Sequence, residues 1–272
     1  MRDTRTRLVD QLPITHEPKV LLRTLFDRGE KAVAERGIRL TVHDDMALLG
    51  ERHREFPDLA RDRPLPSQLD VAYCALPPGR AFWIEGIDAG GRTVLTHACR
   101  LFDWSDTDLE AEGLALRIFY DHPERHARPG RDLTLASPMP VRITGRVAYV
   151  GGLWVHPDLR RRGLAGIVPR LGRGAAHARW APDFGFSHVV DTLLDAGLDE
   201  VYGYRNRHRG LRFRNRYDRA YDVSWVWMSS AELVADLAAF VGAFQSVRPR
   251  STLTPDTTIR PVPVRQGSSS RS

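Results

Sequence analysis

Residues 147–166 read Val-Ala-Tyr-Val-Gly-Gly-Leu-Trp-Val-His-Pro-Asp-Leu-Arg-Arg-Arg-Gly-Leu-Ala-Gly. An apolar strand, a basic loop turning on glycine and a helix start follow one another directly, and that order narrows the fold more than any other segment of the chain. The first turn of a helix leaves backbone N–H groups without intrahelical acceptors and carries the positive end of the helix dipole, so an anion placed there meets several aligned donors. Gly163 lets the backbone approach such a ligand, Ala165 and Gly166 keep the first turn narrow, and three arginines add positive potential. Pro157 stops the strand from running into the loop. The segment predicts an anion site at a strand-to-helix junction.

The same residues carry a family resemblance. Leu153-Trp154-Val155-His156-Pro157, followed by Arg160-Arg161-Arg162-Gly163-Leu164-Ala165, resembles motif A of the GCN5-related N-acetyltransferases, written Arg/Gln-x-x-Gly-x-Gly/Ala. The resemblance implies an α+β fold with a central mixed sheet flanked by helices, and an acyl-coenzyme A, first of all acetyl-CoA, as co-substrate. By the same resemblance Arg160, Arg161, Arg162, Gly163, Leu164 and Ala165 hold the pyrophosphate. Leu153, Trp154 and Val155 lie on a splayed strand beside the pantetheine arm, and a backbone N–H at or near Val155 polarises the thioester oxygen.

Direct transfer needs an unprotonated amine and a proton for the departing thiolate. Tyr202-Gly203-Tyr204 resembles the family's Tyr/x-Gly-Phe segment, which implies Tyr202 as the acid and puts Tyr204 in the place of a core phenylalanine; Tyr217 is a third candidate. The family's glutamate base is missing, because Gly151 and Gly152 stand before the Leu-x-Val-x-Pro pattern. Glu85, His97, Asp191 or a water chain are the alternatives. His156 is assigned no catalytic role, and Trp154 is a packing residue or one wall of the acceptor cleft.

A chain of 272 residues with 42% apolar content can bury a genuine core, as one large domain or an ordinary one with extensions. Cys74 and Cys99 have no metal-ligand spacing and no paired framework, so they are expected as buried thiols, with no metal. No apolar run approaches the roughly 20 residues of a membrane span and the first residues lead into no apolar signal core, so no membrane partner and a cytoplasmic location are expected. The formal net charge of +6 suits an anionic partner, yet 34 acidic residues accompany 40 basic ones, which leaves nucleic acid as the weakest reading.

Along the chain, amphipathic helices are expected at 17–37 and 44–61, strands at 70–75, 81–87 and 92–102 with a hairpin turn at 88–91, and a helix at 106–120. A long connection, 121–140, leads to a strand at 142–155 and a helix at 164–180 weakened by Pro169, Gly172 and Gly174. Strands at 184–190, 201–205 and 221–228, a short helix at 191–199 and a last helix at 230–245 follow. Residues 205–217 interleave arginine with aromatics and read as a solvated hairpin, with phosphate or base binding as the sharper alternative. Residues 1–68 are thus read as an N-terminal helical extension, 69–247 as the acyltransferase domain and 248–272 as a disordered basic tail, the resemblance covering about 69–229.

These expectations make the chain an N-acyltransferase, acetyl in the first instance, moving an acyl group from coenzyme A to an unknown amine. A non-catalytic acyl-CoA-binding module with the same fold is the alternative, and exchange of the final strand offers a route to a homodimer.

Overall fold

The computed structural model describes residues 7–56, 65–126, 133–214 and 220–243. Among them eight strands form one sheet: β1 (Arg39–His43), β2 (Ala81–Ile87), β3 (Thr93–Trp104), β4 (Leu133–Leu135), β5 (Gly145–Val155), β6 (Phe184–Val190), β7 (Asn206–Arg214) and β8 (Ala220–Ser229). Their spatial order is β1-β2-β3-β5-β6-β8-β7-β4. The β5/β6 step is parallel and the other described pairings are antiparallel. The helices are α1 (Leu8–Gln11), α2 (Lys19–Ala34), α3 (Met46–Arg54), α4 (Leu109–Leu114), α5 (Pro123–His126), α6 (Leu164–Trp180), α7 (Asp191–Asp195), α8 (Leu198–Tyr202) and α9 (Ser230–Ala243). The expected mixed sheet flanked by helices is the architecture observed.

Both faces of the sheet are covered, which is why β2 and β3 are buried along nearly their whole length rather than at alternate residues. On one face α2, α6 and α9 bury Leu22, Leu25, Phe26, Val168, Leu171 and Leu237 against Phe82, Cys99 and Val150. On the other, Trp83, Phe102, Trp104, Phe186, Trp225 and Trp227 pack with Leu69, Leu109 and Ile118. Helix α6 is buried on nearly every side. The glycines expected to weaken it are instead points of close approach: a Cβ at Gly172 would lie 2.4 Å from the His97 ring and one at Gly174 2.5 Å from Leu25. Helix propensity is given up there for packing distance.

Several elements depart from the sequence reading. The expected strand at 70–75 is a 3₁₀ turn, Ser67–Leu69, followed by a turn in which the Asp70 carboxylate accepts from Ala72 N–H and its carbonyl from Tyr73 and Cys74 N–H. This Asx-type turn takes the backbone donors a strand would have needed. The strand expected at 201–205 is not formed, because Val201 and Tyr202 close α8 and Gly203 follows with φ +83°. Of residues 205–217, Asn206–Arg214 form β7, which pairs antiparallel with the next strand, β8, while 215–219, including Tyr217, lie outside the described residues.

The expected helix over 44–61 is shorter, ending at Arg54, and starts where the Asp45 side chain accepts from Ala47 and Leu48 N–H. The helix over 106–120 keeps only Leu109–Leu114, N-capped by Asp108, before Leu116 turns at φ 60°. The segment read as a helical extension also holds β1, which pairs with β2 from Arg39↔Ile87 to His43↔Trp83, and α2, which packs on α6. The tail 248–272 lies outside the described residues. Both cysteines are buried free thiols, and no helix among the described residues is long and apolar enough to cross a membrane.

Candidate active site

Strands β5 and β6 pair over three residues only, Val147↔Phe184, Ala148↔Gly185 and Tyr149↔Phe186. Beyond Tyr149 each strand stays with its own half of the sheet: β5 follows β3 as far as Val155↔Leu95, and β6 follows β8 as far as Val190↔Val223. The two halves separate as a V. A β-bulge in β5 opposite Thr96–Ala98 adds to the divergence, with Gly152 at φ +64°. At Gly151 a Cβ would stand 2.2 Å from the Tyr149 hydroxyl. The Gly151-Gly152 pair that replaces the expected glutamate therefore makes the bulge and the room for Tyr149.

A cavity of about 300 Å³ fills the opening. Val150, Val189, Leu193, Leu198, Tyr202 and Tyr204 line it from the core on the α6 face, and Tyr149, Phe119, Val190, Phe213, Tyr221 and Val223 from the core on the other face. The cavity thus passes through the sheet where its strands part. A shallower hollow of about 410 Å³ beside Met46, Val71 and Pro78 contains none of these residues.

The polar groups in the cavity wall are few. His188 alternates with Val189 along β6 and so faces away from α6; its ring stacks on Tyr149 with centroids 5.3 Å apart, and its Nδ1 lies 3.3 Å from the Gln68 side-chain nitrogen. Burial pushes the Tyr149 hydroxyl far above its ordinary range, against a smaller pull from a hydrogen bond with Gln68. His97 on β3 lies against α6, and neither ring nitrogen has a hydrogen-bond partner among the described residues. Burial pushes His188 down to about 4, and burial with the nearby Arg173 charge pushes His97 down to about 3. Tyr149, His188 and Gln68 were missed by sequence reasoning, and the small residues at 151 and 152 were the available signal that a large side chain fills this place.

The two imidazoles have a consequence for stability. A histidine whose folded pKa lies below its unfolded value of 6.5 contributes stability that is complete above 6.5 and is lost as the pH falls through the folded value. Stability should therefore decline between about pH 6.5 and 4, by about 1.4 kcal/mol per pH unit for each imidazole. Urea unfolding at pH 7, 6 and 5 measures this slope, and His188→Gln should remove about half of it. A flat profile across that window would contradict the assignment.

Tyr202, the last residue of α8, stands half-buried in the cavity wall. Its position is fixed from behind by a charge cluster. Arg170 donates to the Val201 carbonyl at 2.8 Å, Arg173 donates to the Tyr202 carbonyl, and both guanidiniums pair with Asp236 of α9 at 3.0 and 3.2 Å. Tyr204 is buried with its ring 4.8 Å from the Arg173 guanidinium, the core position expected of it.

At the outer end of the V, Gly163 precedes α6 with φ +75°, a left-handed conformation that favours glycine, and a Cβ there would meet only the end of Arg36, at 3.6 Å. Arg160, Arg161, Arg162 and Gly163 are exposed, Arg160 Nε donates to the Val155 carbonyl at 3.1 Å, and Arg36 donates to the Arg162 carbonyl. The Leu164 side chain is buried in the core, so only its backbone faces the loop, and Ala165 is partly covered. Leu153 lines the cavity and packs with Val155 on the α6-side core, while Trp154 is buried with its ring 4.4 Å from Phe56 and forms one wall.

Of the alternative bases, His97 reaches the cavity. Glu85 does not line it: its carboxylate is held by His43 at 2.9 Å, Arg52 at 3.2 Å and Thr93 at 2.5 Å. Asp191 heads α7 and accepts from Ser224 Oγ at 2.5 Å. In the basic segment Arg207 pairs with Asp199, Arg209 with Asp195 and Arg212 with Asp222. Among the described residues no group of three or more His, Cys, Asp or Glu is placed to hold a metal ion.

No family model and no curated protein matches the sequence. Among solved structures, the chain is similar to a SpeG spermidine N-acetyltransferase chimera from Vibrio cholerae and hSSAT, 11% identical over 73% of this chain and 98% of that one, with a TM-score of 0.40. It is similar also to Arabidopsis thaliana NAA60 in complex with acetyl-CoA, 12% identical over 71% and 98% with a TM-score of 0.43, and to TofI in an apo form, 15% identical over 74% and 96% with a TM-score of 0.39. An antiparallel β1-β2-β3-β5 half, a parallel β5/β6 step that splays beyond Tyr149, and a helix entering from a glycine turn make up an α+β fold with a central mixed sheet flanked by helices, the architecture that the motif resemblance implies.

Proposed function

We propose that the chain is an acyl-coenzyme A-dependent N-acyltransferase, with acetyl-CoA as the first donor to test. The observation that carries this reading is the coincidence of the splay between β5 and β6 with the Gly163 turn at the N-terminus of the 17-residue helix α6. The first-turn N–H groups and the exposed Arg160, Arg161 and Arg162 supply the anion site for the pyrophosphate. Leu153, Trp154 and Val155, on the edge of β5 released by the splay, flank the pantetheine arm, whose inner end points down the V toward the cavity. Tyr202, on the α6 side of that cavity, is the residue assigned to protonate the departing thiolate.

Gly163→Val tests the anion site. A β-branched residue at φ +75° strains the turn and crowds the anion approach, so acetyl-CoA affinity should fall by at least about tenfold in a calorimetric titration. An unchanged affinity in a folded variant would count against the site. A non-catalytic coenzyme-binding module is the second reading, favoured by Gly151 and Gly152 where the base was expected. Thiol release from acetyl-CoA with a panel of amines separates the two.

A further inference from the structure

The half of the cavity that faces away from α6 has an unusual chemistry for an amine site. None of the described residues lining the cavity is Asp, Glu, Lys or Arg. Its walls include Phe119 and Phe213, stacked with centroids 4.4 Å apart, and Tyr149 stacked on His188. An ammonium ion moved into such a site would lose its hydration without gaining a counter-charge, which is strongly unfavourable. Of the three imidazoles in the lining, His53, His97 and His188, the last two are themselves held neutral by burial. One acceptor atom nevertheless waits there: Gln68 Oε1, on a fully buried side chain lining the cavity, has no hydrogen-bond partner among the described residues. A buried acceptor of this kind is costly unless a ligand donor completes it.

We propose that this half-cavity selects an acceptor amine that is uncharged at neutral pH and carried on an aromatic body, an arylamine being the simplest class, with Gln68 Oε1 receiving one of its N–H bonds. The inference rests on the acyltransferase reading above. The aromatic ring lies among Phe119, Phe213 and Tyr149, where area burial and ring stacking favour it. The nitrogen lone pair of an arylamine is delocalised into its ring, so the amine enters neutral and no base is needed to deprotonate it first. That fits a site in which the expected glutamate is absent. The nitrogen attacks the thioester carbon, a C–N bond forms and the C–S bond breaks. The sulfur leaves with the electron pair of that bond, and one proton from nitrogen is balanced by one delivered to sulfur. The products are the N-acyl arylamine and free coenzyme A.

The test uses the full chain saturated with acetyl-CoA, with 4-methylaniline and spermidine as probes in calorimetric titration and thiol-release assays. Absence of acetyl-CoA binding in the preceding titration would remove the acyltransferase reading, so the two failures are distinguishable. With the coenzyme bound, 4-methylaniline should bind at least about tenfold more tightly than spermidine and show the higher kcat/KM. Gln68→Ala should weaken 4-methylaniline by about tenfold while acetyl-CoA affinity is kept, and Gln68→Glu should move the preference toward spermidine. Equal or tighter spermidine binding, or binding of neither amine, overturns the proposal. So does octanoyl-CoA binding more tightly than acetyl-CoA and excluding 4-methylaniline, which would assign the apolar volume to the acyl chain.

Discussion

Replacing Asp236 with alanine is expected to cost about 3–5 kcal/mol of folding stability, the penalty for leaving a buried charge without its partner. Asp236 is the carboxylate shared by Arg170 and Arg173, whose side chains are 11% and 1% exposed. Without it two guanidiniums remain in the core between α6, α8 and α9 with no carboxylate among the described residues, left to the Gly166, Val201 and Tyr202 carbonyls and the Phe240 and Tyr204 rings. Gly203 adds to the constraint, since a Cβ there would lie 2.4 Å from both Arg170 and Asp236. Urea denaturation at pH 7 measures the effect, and a loss under about 1 kcal/mol would show that water reaches the cluster freely. Because the same arginines hold the end of α8, the variant should also blunt turnover beyond what its folded fraction explains.

The second large effect is expected at Tyr202. If its hydroxyl protonates the leaving thiolate, Tyr202→Phe should lower kcat by about 10²–10⁴-fold, the usual contribution of a positioned general acid. Acetyl-CoA affinity should hardly change, because the hydroxyl acts only as charge develops on sulfur. The observation behind this is the place of Tyr202 in the cavity wall on the α6 side, packed against the core there and held at its backbone carbonyl by Arg173. A kcat within twofold of the unsubstituted protein would move the acid role to water or to another residue.

How much of this was legible in the sequence depended on how local the signal was. The 164–180 helix and the 81–87 and 184–190 strands match their observed bounds, because each is a periodic or apolar run closed by a turn residue. The Gly163 turn could be read from its neighbours in the chain. Strand β1 could not: five residues between two helices carry little pattern, and they become a strand only because the β2 edge offers them hydrogen bonds. The same tertiary override made β7 a strand from an arginine-rich segment whose charges are met by Asp195, Asp199 and Asp222.

The cavity was legible in part. The loop arginines, Gly163 and Tyr202 were named from the sequence, and the structure brings Tyr202 and the β5 rim to one opening. Gln68, Tyr149 and His188 come from three separate segments and meet only through the sheet, so no spacing rule could join them. Glu85, on an earlier strand, was one of the alternatives for the missing base. Its three partners make it part of a structural ion cluster instead.

The most direct test of the central claim is calorimetric titration of the purified chain with acetyl-CoA and, separately, with desulfo-coenzyme A. Both share the pyrophosphate and the pantetheine arm, so both should bind in the micromolar range if the Gly163 turn and the splayed edge of β5 form the coenzyme site. Binding of neither would contradict the coenzyme site, and with it the acyltransferase and the non-catalytic coenzyme-binding readings together.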